Sequence, residues 1–137
     1  MLKYGEPCFL GYKQRMKKKI AILGSTGSIG KSTLDIIRKD KKNFEIVFLS
    51  AKNNYKKLIQ QAKEFNAKNV LIKNKNFFKK TKSSLKNGKT KVYSGDISIA
   101  NIISGKLDYT MSSIVGIAGL QPTVDAIKIS KTVAIAN

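Results

Sequence analysis

The residues best suited to chemistry lie in a glycine-rich segment, residues 24–30 (GSTGSIG), directly after the apolar run 20–23. A strand that ends in glycines and turns into a helix leaves unpaired backbone N–H groups at the positive end of that helix. Such amides bind anions. We therefore predict a phosphate-binding turn, in which Thr26 and Ser28 add hydroxyl groups that donate to phosphate or cap the helix. Its three glycines would allow a sharp turn, close approach of a pyrophosphate, and close packing of helix on strand.

Two nucleotide-binding motifs are similar to this turn. Residues 25–32 (STGSIGKS) match the triphosphate-binding loop G-x-x-x-x-G-K-[ST] except at Ser25, where the loop requires glycine. The dinucleotide-binding fingerprint is most often G-x-G-x-x-G, and this sequence has one additional residue between its first two glycines. The turn alone therefore fits both a nucleoside triphosphatase and a dinucleotide-binding protein.

The end of the second predicted strand favours NADP over NAD. A sheet that binds NAD usually ends this strand in Asp or Glu, which accepts hydrogen bonds from the ribose. Here the strand ends without an acid, and Glu45 falls at its start. A 2′-phosphate would be repelled by a carboxylate and attracted by a cation and by amide groups. We therefore predict that Lys52, Asn53 and Asn54 receive the 2′-phosphate of NADP.

Catalytic and metal-binding groups are not recognisable in the chain. A triphosphatase needs an acidic magnesium ligand at the end of a strand, whereas Asp108 opens its predicted strand. The Tyr-x-x-x-Lys of short-chain dehydrogenases follows none of the five tyrosines. No general base, paired nucleophile or metal cluster is found, so we assign no catalytic residue and no metal ligand. The chemistry must come from elsewhere.

Short β-rich runs alternate with helical segments from residue 19 onward, which is typical of βαβ units on a parallel sheet. The predicted strands are 19–24, 44–51, 69–72, 91–93, 108–112 and 132–136, and the predicted helices are 29–39, 54–65, 97–103 and 120–130. We expect a Rossmann-like, doubly wound, mostly parallel α/β sheet with helices on both faces. The carboxyl ends of its strands would meet at one crevice. The residues brought there are Gly24, Ala51, Ser112 and Asn137.

Helical periodicity also predicts which surfaces are buried and which are solvated. The first helix is expected to pack on the sheet through one face, made of Ile29, Thr33, Ile36 and Ile37. Residues 73–91 hold eight lysines and no acid. This segment is predicted to be a solvated helix or loop at the rim of the fold.

The charge of the chain raises the question of nucleic acid. The net charge is +19, which attracts polyanions. It comes from 25 lysines spread along the chain and only two arginines, Arg15 and Arg38, whereas base readout depends on arginine. We therefore predict solvated charge without a specific nucleic-acid partner, although a basic nucleic-acid-binding module stays open as an alternative.

Length and composition suit part of a larger enzyme. At 137 residues the chain is small for a complete dinucleotide-dependent enzyme. A single cysteine, Cys8, and the absence of histidine fit a reducing, cytoplasmic setting, and no segment is apolar enough to cross a membrane. We expect residues 1–16 to be a disordered leader or a mis-assigned start, and residues 17–137 to be an incomplete NADPH-binding domain.

Four segments together resemble the 1-deoxy-D-xylulose 5-phosphate reductoisomerase family, from about residue 17 to the last residue. They are residues 21–30 (AILGSTGSIG), 32–38 (STLDIIR), 114–123 (IVGIAGLQPT) and 131–137 (KTVAIAN). The resemblance implies an NADPH-binding domain of an enzyme that rearranges and reduces 1-deoxy-D-xylulose 5-phosphate to 2-C-methyl-D-erythritol 4-phosphate in non-mevalonate isoprenoid synthesis.

The same resemblance implies roles for particular residues. The cofactor pyrophosphate would lie on Thr26, Gly27, Ser28 and Ile29. The 2′-phosphate would lie on the turn 52–54, and Asn137 would lie near the nicotinamide. This sequence has Lys52 where the family usually has glycine, and lysine there either crowds the adenosine or contacts the phosphate directly.

In the family, the equivalent of the final asparagine is followed by Lys-Glu, the acidic ligands of a divalent cation (Mg or Mn), the phosphosugar site and a mobile loop. Members are commonly homodimers. The chain alone is therefore expected to bind cofactor without turnover.

Overall fold

The computed structural model describes residues 16–136, so the predictions for residues 1–15 and for Asn137 lie outside it. Six strands and five α-helices alternate through this described part. The strands are β1 (Lys18–Leu23), β2 (Phe44–Ala51), β3 (Asn69–Ile72), β4 (Lys91–Ser94), β5 (Leu107–Ser112) and β6 (Ser130–Ile135). The helices are α1 (Ser28–Arg38), α2 (Tyr55–Phe65), α3 (Phe78–Leu85), α4 (Ile99–Ile102) and α5 (Leu120–Ile129).

The six strands form one sheet in the order β4-β3-β2-β1-β5-β6. All neighbouring pairs are parallel. The chain moves outward from β1 through β2 on one side and returns to the other side of β1 at β5. The predicted doubly wound parallel sheet is therefore confirmed, and its switch point lies between β1 and β5, where such sheets bind ligands.

Helices cover both faces of the sheet, which explains why its central strands are apolar on consecutive residues. Helices α1, α2 and α3 pack on one face, and their buried residues join those of the strands in one cluster. Helices α4 and α5 pack on the other face through Ile99 and Ala126. In β1, every residue from Ile20 to Leu23 is at most 4% exposed.

The buried face of α1 differs from the prediction. The helix buries Gly30, Leu34 and Ile37, whereas the predicted Ile29 and Ile36 are 43% and 68% exposed. Of the predicted set, only Ile37 is buried. The reason is tertiary: α1 approaches the turn most closely at Gly30, and the residues on the same face as Gly30, at i+4 and i+7, are the ones that are buried.

Substitutions on the buried and the exposed face of α1 test this assignment. Leu34→Ala is expected to lower the free energy of unfolding by about 2–5 kcal/mol, because the side chain is buried and leaves a cavity. Ile36→Ala is the matched control and is expected to change it by less than about 0.5 kcal/mol. Urea denaturation measures both, and a larger loss for Ile36→Ala would reverse the assignment.

Two other segments differ in extent from the predictions. The predicted helix 97–103 is a single turn, α4, because Ile103 takes an extended conformation. The lysine-rich segment begins with a 3₁₀ turn, Lys75–Phe77, and continues as α3. That helix buries Thr81 and Leu85 and keeps its lysines outside, as expected for a solvated helix at the rim.

An apolar surface is left exposed around α5 and the edge strand β6. Its members are Val115, Ile117, Leu120, Val124, Ile127 and Ile135, each at least 39% exposed. Within residues 16–136, no helix is both long enough and apolar enough to cross a membrane.

Candidate functional site

The turn between β1 and α1 presents backbone amides without a side-chain cap. Gly27 is the N-cap residue and no side chain caps the helix, so the predicted capping role of the neighbouring hydroxyls is not observed. The N–H of Lys31 donates to the carbonyl of Gly27 at 2.9 Å. The amides of Ser28 and Ile29 precede this first helical hydrogen bond and carry the positive end of the helix dipole. The turn can therefore receive an anion.

Two of the glycines are required by the local geometry. Gly24 has φ +78°, a conformation that side chains disfavour. A Cβ on Gly30 would lie 2.5 Å from the carbonyl oxygen of Gly24 and 2.6 Å from the Cα of Ser25. At Gly27 the nearest atom to a Cβ would be 3.7 Å away, so the fold itself tolerates a side chain there. Two of the three roles predicted for the glycines are seen in this geometry: Gly24 allows a sharp turn, and Gly30 allows the helix to pack closely against the end of the strand.

The turn between β2 and α2 holds the three residues predicted to read the 2′-phosphate. The Asn54 side-chain oxygen caps α2 by accepting from the N–H of Lys57 at 3.2 Å. The Asn53 side-chain oxygen accepts from Asn74 Nδ2 at 2.9 Å. The backbone N–H of Asn74 donates to the carbonyl of Lys52 at 2.9 Å. These contacts occupy amide oxygens, so the turn offers NH₂ groups and a cation to a ligand.

The two turns are joined by hydrogen bonds through Ser50, near the end of β2. The N–H of Ser25 donates to the Ser50 carbonyl at 2.8 Å, and the N–H of Gly24 donates to Ser50 Oγ at 3.2 Å. In the sheet, Leu23 pairs with Ser50. Since Lys52 is only two residues beyond Ser50, the anion-binding turn and the cationic turn form one continuous edge.

The ends of β5 and β6 complete this edge on the other side of β1. Leu23 pairs with Ser112, and Ser112 pairs with Ile135. Ser113 Oγ lies 2.8 Å from the carbonyl oxygen of Leu23. The N–H of Ala136 donates to the Ser112 carbonyl at 2.9 Å. The predicted meeting of strand ends is therefore seen for Gly24, Ala51 and Ser112, while Asn137 lies just beyond the described residues.

The carboxylates of Glu45 and Asp108 lie near the amino ends of their strands, at the end of the sheet opposite to the two turns. Glu45 is near the start of β2 and pairs with Lys68 at 2.7 Å. Asp108 is near the start of β5, where its side chain accepts from the N–H of Lys19 at 2.8 Å. This backbone hydrogen bond, assisted by Lys131 at 3.3 Å, lowers the pKa of Asp108. Neither carboxylate can oppose a phosphate at the two turns.

No group of three or more metal-ligating side chains occurs in residues 16–136.

Sequence reasoning missed several polar residues that shape the edge: Ser50, Gln61, Asn74 and Ser113. Ser50 and Gln61 carry a detectable signal, because each is a polar residue at an otherwise buried position of its strand or helix. Asn74 and Ser113 stand in turns and carry no comparable signal, since polar residues are common there.

A parallel sheet wound in both directions from β1, with a glycine-rich turn after β1, is the Rossmann-like architecture found in dinucleotide-binding domains, and here the turn after β2 is free of acids. Comparison with known proteins makes the class specific. The chain belongs to the 1-deoxy-D-xylulose 5-phosphate reductoisomerase family, whose family model matches residues 20–137.

Individual relatives and solved structures support the same family assignment. The chain is 53% identical over 122 residues to the reductoisomerase of Pelagibacter ubique, a match that covers 88% of this chain and 31% of that protein. It is 42% identical over 121 residues to that of a Wolbachia pipientis strain from Culex pipiens, with the same coverage, 88% and 31%. The reductoisomerase of Zymomonas mobilis in complex with NADPH superposes with a TM-score of 0.83 at 35% identity, covering 89% of this chain and 32% of that one.

A further solved reductoisomerase, in complex with NADPH, fosmidomycin and magnesium, gives a TM-score of 0.78 at 33% identity and covers 88% of this chain and 30% of that one. The chain thus spans about a third of the length of the relatives it matches.

Proposed function

We propose that residues 17–137 are the NADPH-binding domain of a 1-deoxy-D-xylulose 5-phosphate reductoisomerase. In this proposal Thr26, Gly27, Ser28 and Ile29 bind the pyrophosphate, and Lys52, Asn53 and Asn54 bind the 2′-phosphate. Asn137 lies near the nicotinamide. The observation that carries the proposal is that the β1–α1 turn is hydrogen-bonded to Ser50, two residues before Lys52 of the β2–α2 turn, because one extended dinucleotide can then contact both turns.

The residues of the two turns fit NADPH. Amides ahead of the first helical hydrogen bond suit a diphosphate. A lysine and amide NH₂ groups suit a phosphate monoester. The carboxylate on β2, that of Glu45, stands at the other end of the strand. When bound, NADPH supplies the hydride for the reduction. The part played by this chain is to bind the cofactor and to fix its orientation.

The complete activity is the rearrangement and reduction of 1-deoxy-D-xylulose 5-phosphate to 2-C-methyl-D-erythritol 4-phosphate. We place the phosphosugar site and the ligands of the divalent cation, Mg or Mn, in the part of the family's length that this chain does not span. The enzyme would act in the cytoplasm as a homodimer. The apolar surface around α5 and β6, which includes Leu120 and Ile127, supports packing of this domain against a further part of such an enzyme.

Titration of the purified chain with NADPH, NADH, magnesium ATP and a short DNA duplex at two salt concentrations tests the proposal. NADPH is expected to bind more tightly than NADH, because only NADPH carries the 2′-phosphate. Tighter binding of magnesium ATP would favour a triphosphatase, and tight, salt-sensitive DNA binding would favour a basic nucleic-acid-binding module. The same sample is expected to give no product from 1-deoxy-D-xylulose 5-phosphate, and measurable turnover would contradict the assignment of catalysis to other residues.

A further inference from the structure

A buried glutamine on α2 is hydrogen-bonded to Ser25 in the β1–α1 turn, where the cofactor pyrophosphate is proposed to bind. Gln61 is 4% exposed and Ser25 is fully buried. The hydroxyl of Ser25 donates to Gln61 Oε1 at 2.8 Å. In return, Gln61 Nε2 donates to the backbone carbonyl of Ser25 at 3.0 Å. A single side chain thus binds both the side chain and the backbone of Ser25.

This pair is costly to break because it is buried. An amide or a hydroxyl removed from water costs free energy unless it has a partner, and here each group finds its partner in the other residue. Ser25 is also held by Ser50, whose carbonyl accepts from the Ser25 N–H at 2.8 Å and from the Ser25 hydroxyl at 3.4 Å. Gly30 of α1 packs against the Ser25 backbone. Ser25 is therefore fixed by contacts with three elements, and only α2 contributes a side chain that can be replaced without changing a strand or a glycine.

Helix α2 also begins at the turn that is proposed to read the 2′-phosphate. Asn54 caps the helix, and Gln61 lies seven residues later, which is about two turns and about 10.5 Å along the same face. Helix α2 thus begins at Asn54 in the β2–α2 turn and carries, two turns later, the Gln61 side chain that is hydrogen-bonded to the β1–α1 turn.

We infer that Gln61 is a positioning residue for the cofactor pyrophosphate, acting through Ser25 to aim the amides of Ser28 and Ile29. This inference rests on the proposed binding of NADPH. The inference treats the two subsites separately. The hydrogen bonds of Gln61 orient the β1–α1 turn, where the pyrophosphate is proposed to bind, whereas the Asn54 cap of the β2–α2 turn does not depend on them. The affinity of a ligand that contacts only the β2–α2 turn is therefore insensitive to loss of the hydrogen bonds between Gln61 and Ser25.

The test uses the full chain and two ligands, NADPH and adenosine 2′-monophosphate, which carries the 2′-phosphate and no pyrophosphate. Gln61→Met keeps the length of the side chain and removes both hydrogen bonds. NADPH is expected to bind about tenfold more weakly to this variant, while the affinity for adenosine 2′-monophosphate changes less than about twofold. Calorimetry measures the first ligand, and chemical-shift titration measures the second.

Two further variants separate positioning from general support of the helix. Leu58→Ala removes a fully buried side chain from the same helix and is expected to lower Tm while leaving the ratio of the two affinities unchanged. Ser25→Ala removes only the hydroxyl and is expected to shift the ratio in the same direction as Gln61→Met, but less, which keeps the test open if Gln61→Met does not fold. Equal losses for both ligands, or none, would overturn the inference. Failure of the unmodified chain to bind NADPH would overturn the proposed function instead.

Discussion

Gly30→Ala is expected to lower the free energy of unfolding by about 1–3 kcal/mol and to weaken NADPH binding about tenfold. The new methyl group would lie 2.5 Å from the Gly24 carbonyl oxygen and 2.6 Å from two backbone atoms of Ser25. Backbone atoms inside a packed turn cannot move aside as a flexible side chain can. Helix α1 must therefore shift away from the turn, and the amides at its start shift with it. Denaturant unfolding measures the first effect and calorimetry the second.

Gly88→Ala is the control for this substitution. Gly88 is exposed after α3, and the nearest heavy atom to a Cβ there is 3.8 Å away. It is expected to leave NADPH binding unchanged and stability unchanged or slightly raised, because alanine restricts the unfolded chain. If Gly30→Ala were as stable as Gly88→Ala, the close approach of α1 to the turn would not exist in solution.

Lys52→Glu is expected to weaken NADPH binding about tenfold while changing NADH binding by less than about twofold. A carboxylate at this place in the β2–α2 turn repels a 2′-phosphate, whereas the ribose of NADH carries no charge there. Lys52→Met, which removes the cation without adding a carboxylate, decides between the two alternatives for Lys52. A lysine that contacts the phosphate gives a selective loss of NADPH affinity, and one that crowds the adenosine gives equal changes for the two cofactors.

The control for Lys52→Glu is Lys63→Glu, which makes the same change of net charge near the other end of α2. It is expected to affect both cofactors slightly and equally, and more so at low salt, because it acts only through the long-range field of the protein. Equal losses of NADPH and NADH affinity in Lys52→Glu would remove the argument that this turn selects the phosphate.

The elements and their order could be predicted from the sequence because each depends on local pattern. Strand β2 has the predicted bounds, since the apolar run 46–49 forms its centre and a polar turn follows Ala51. Helix α5 also starts at the predicted residue, Leu120, and Pro122 stands in its first turn, where a missing N–H costs nothing. Alternation of such elements leaves few topologies other than a parallel doubly wound sheet.

The sequence by itself thus determined the fold class, the family and the places of the two turns, because glycine spacing, apolar runs and the absence of an acid are properties of neighbouring residues. Only the tertiary structure decided which face of α1 is buried, that Asn54 caps its helix, and that Gln61 clamps Ser25. The last two residues are 36 positions apart. Periodicity restricts the face of a helix to a few choices, but the contact that selects one of them, or that pairs two distant polar groups, exists only once the elements have packed together.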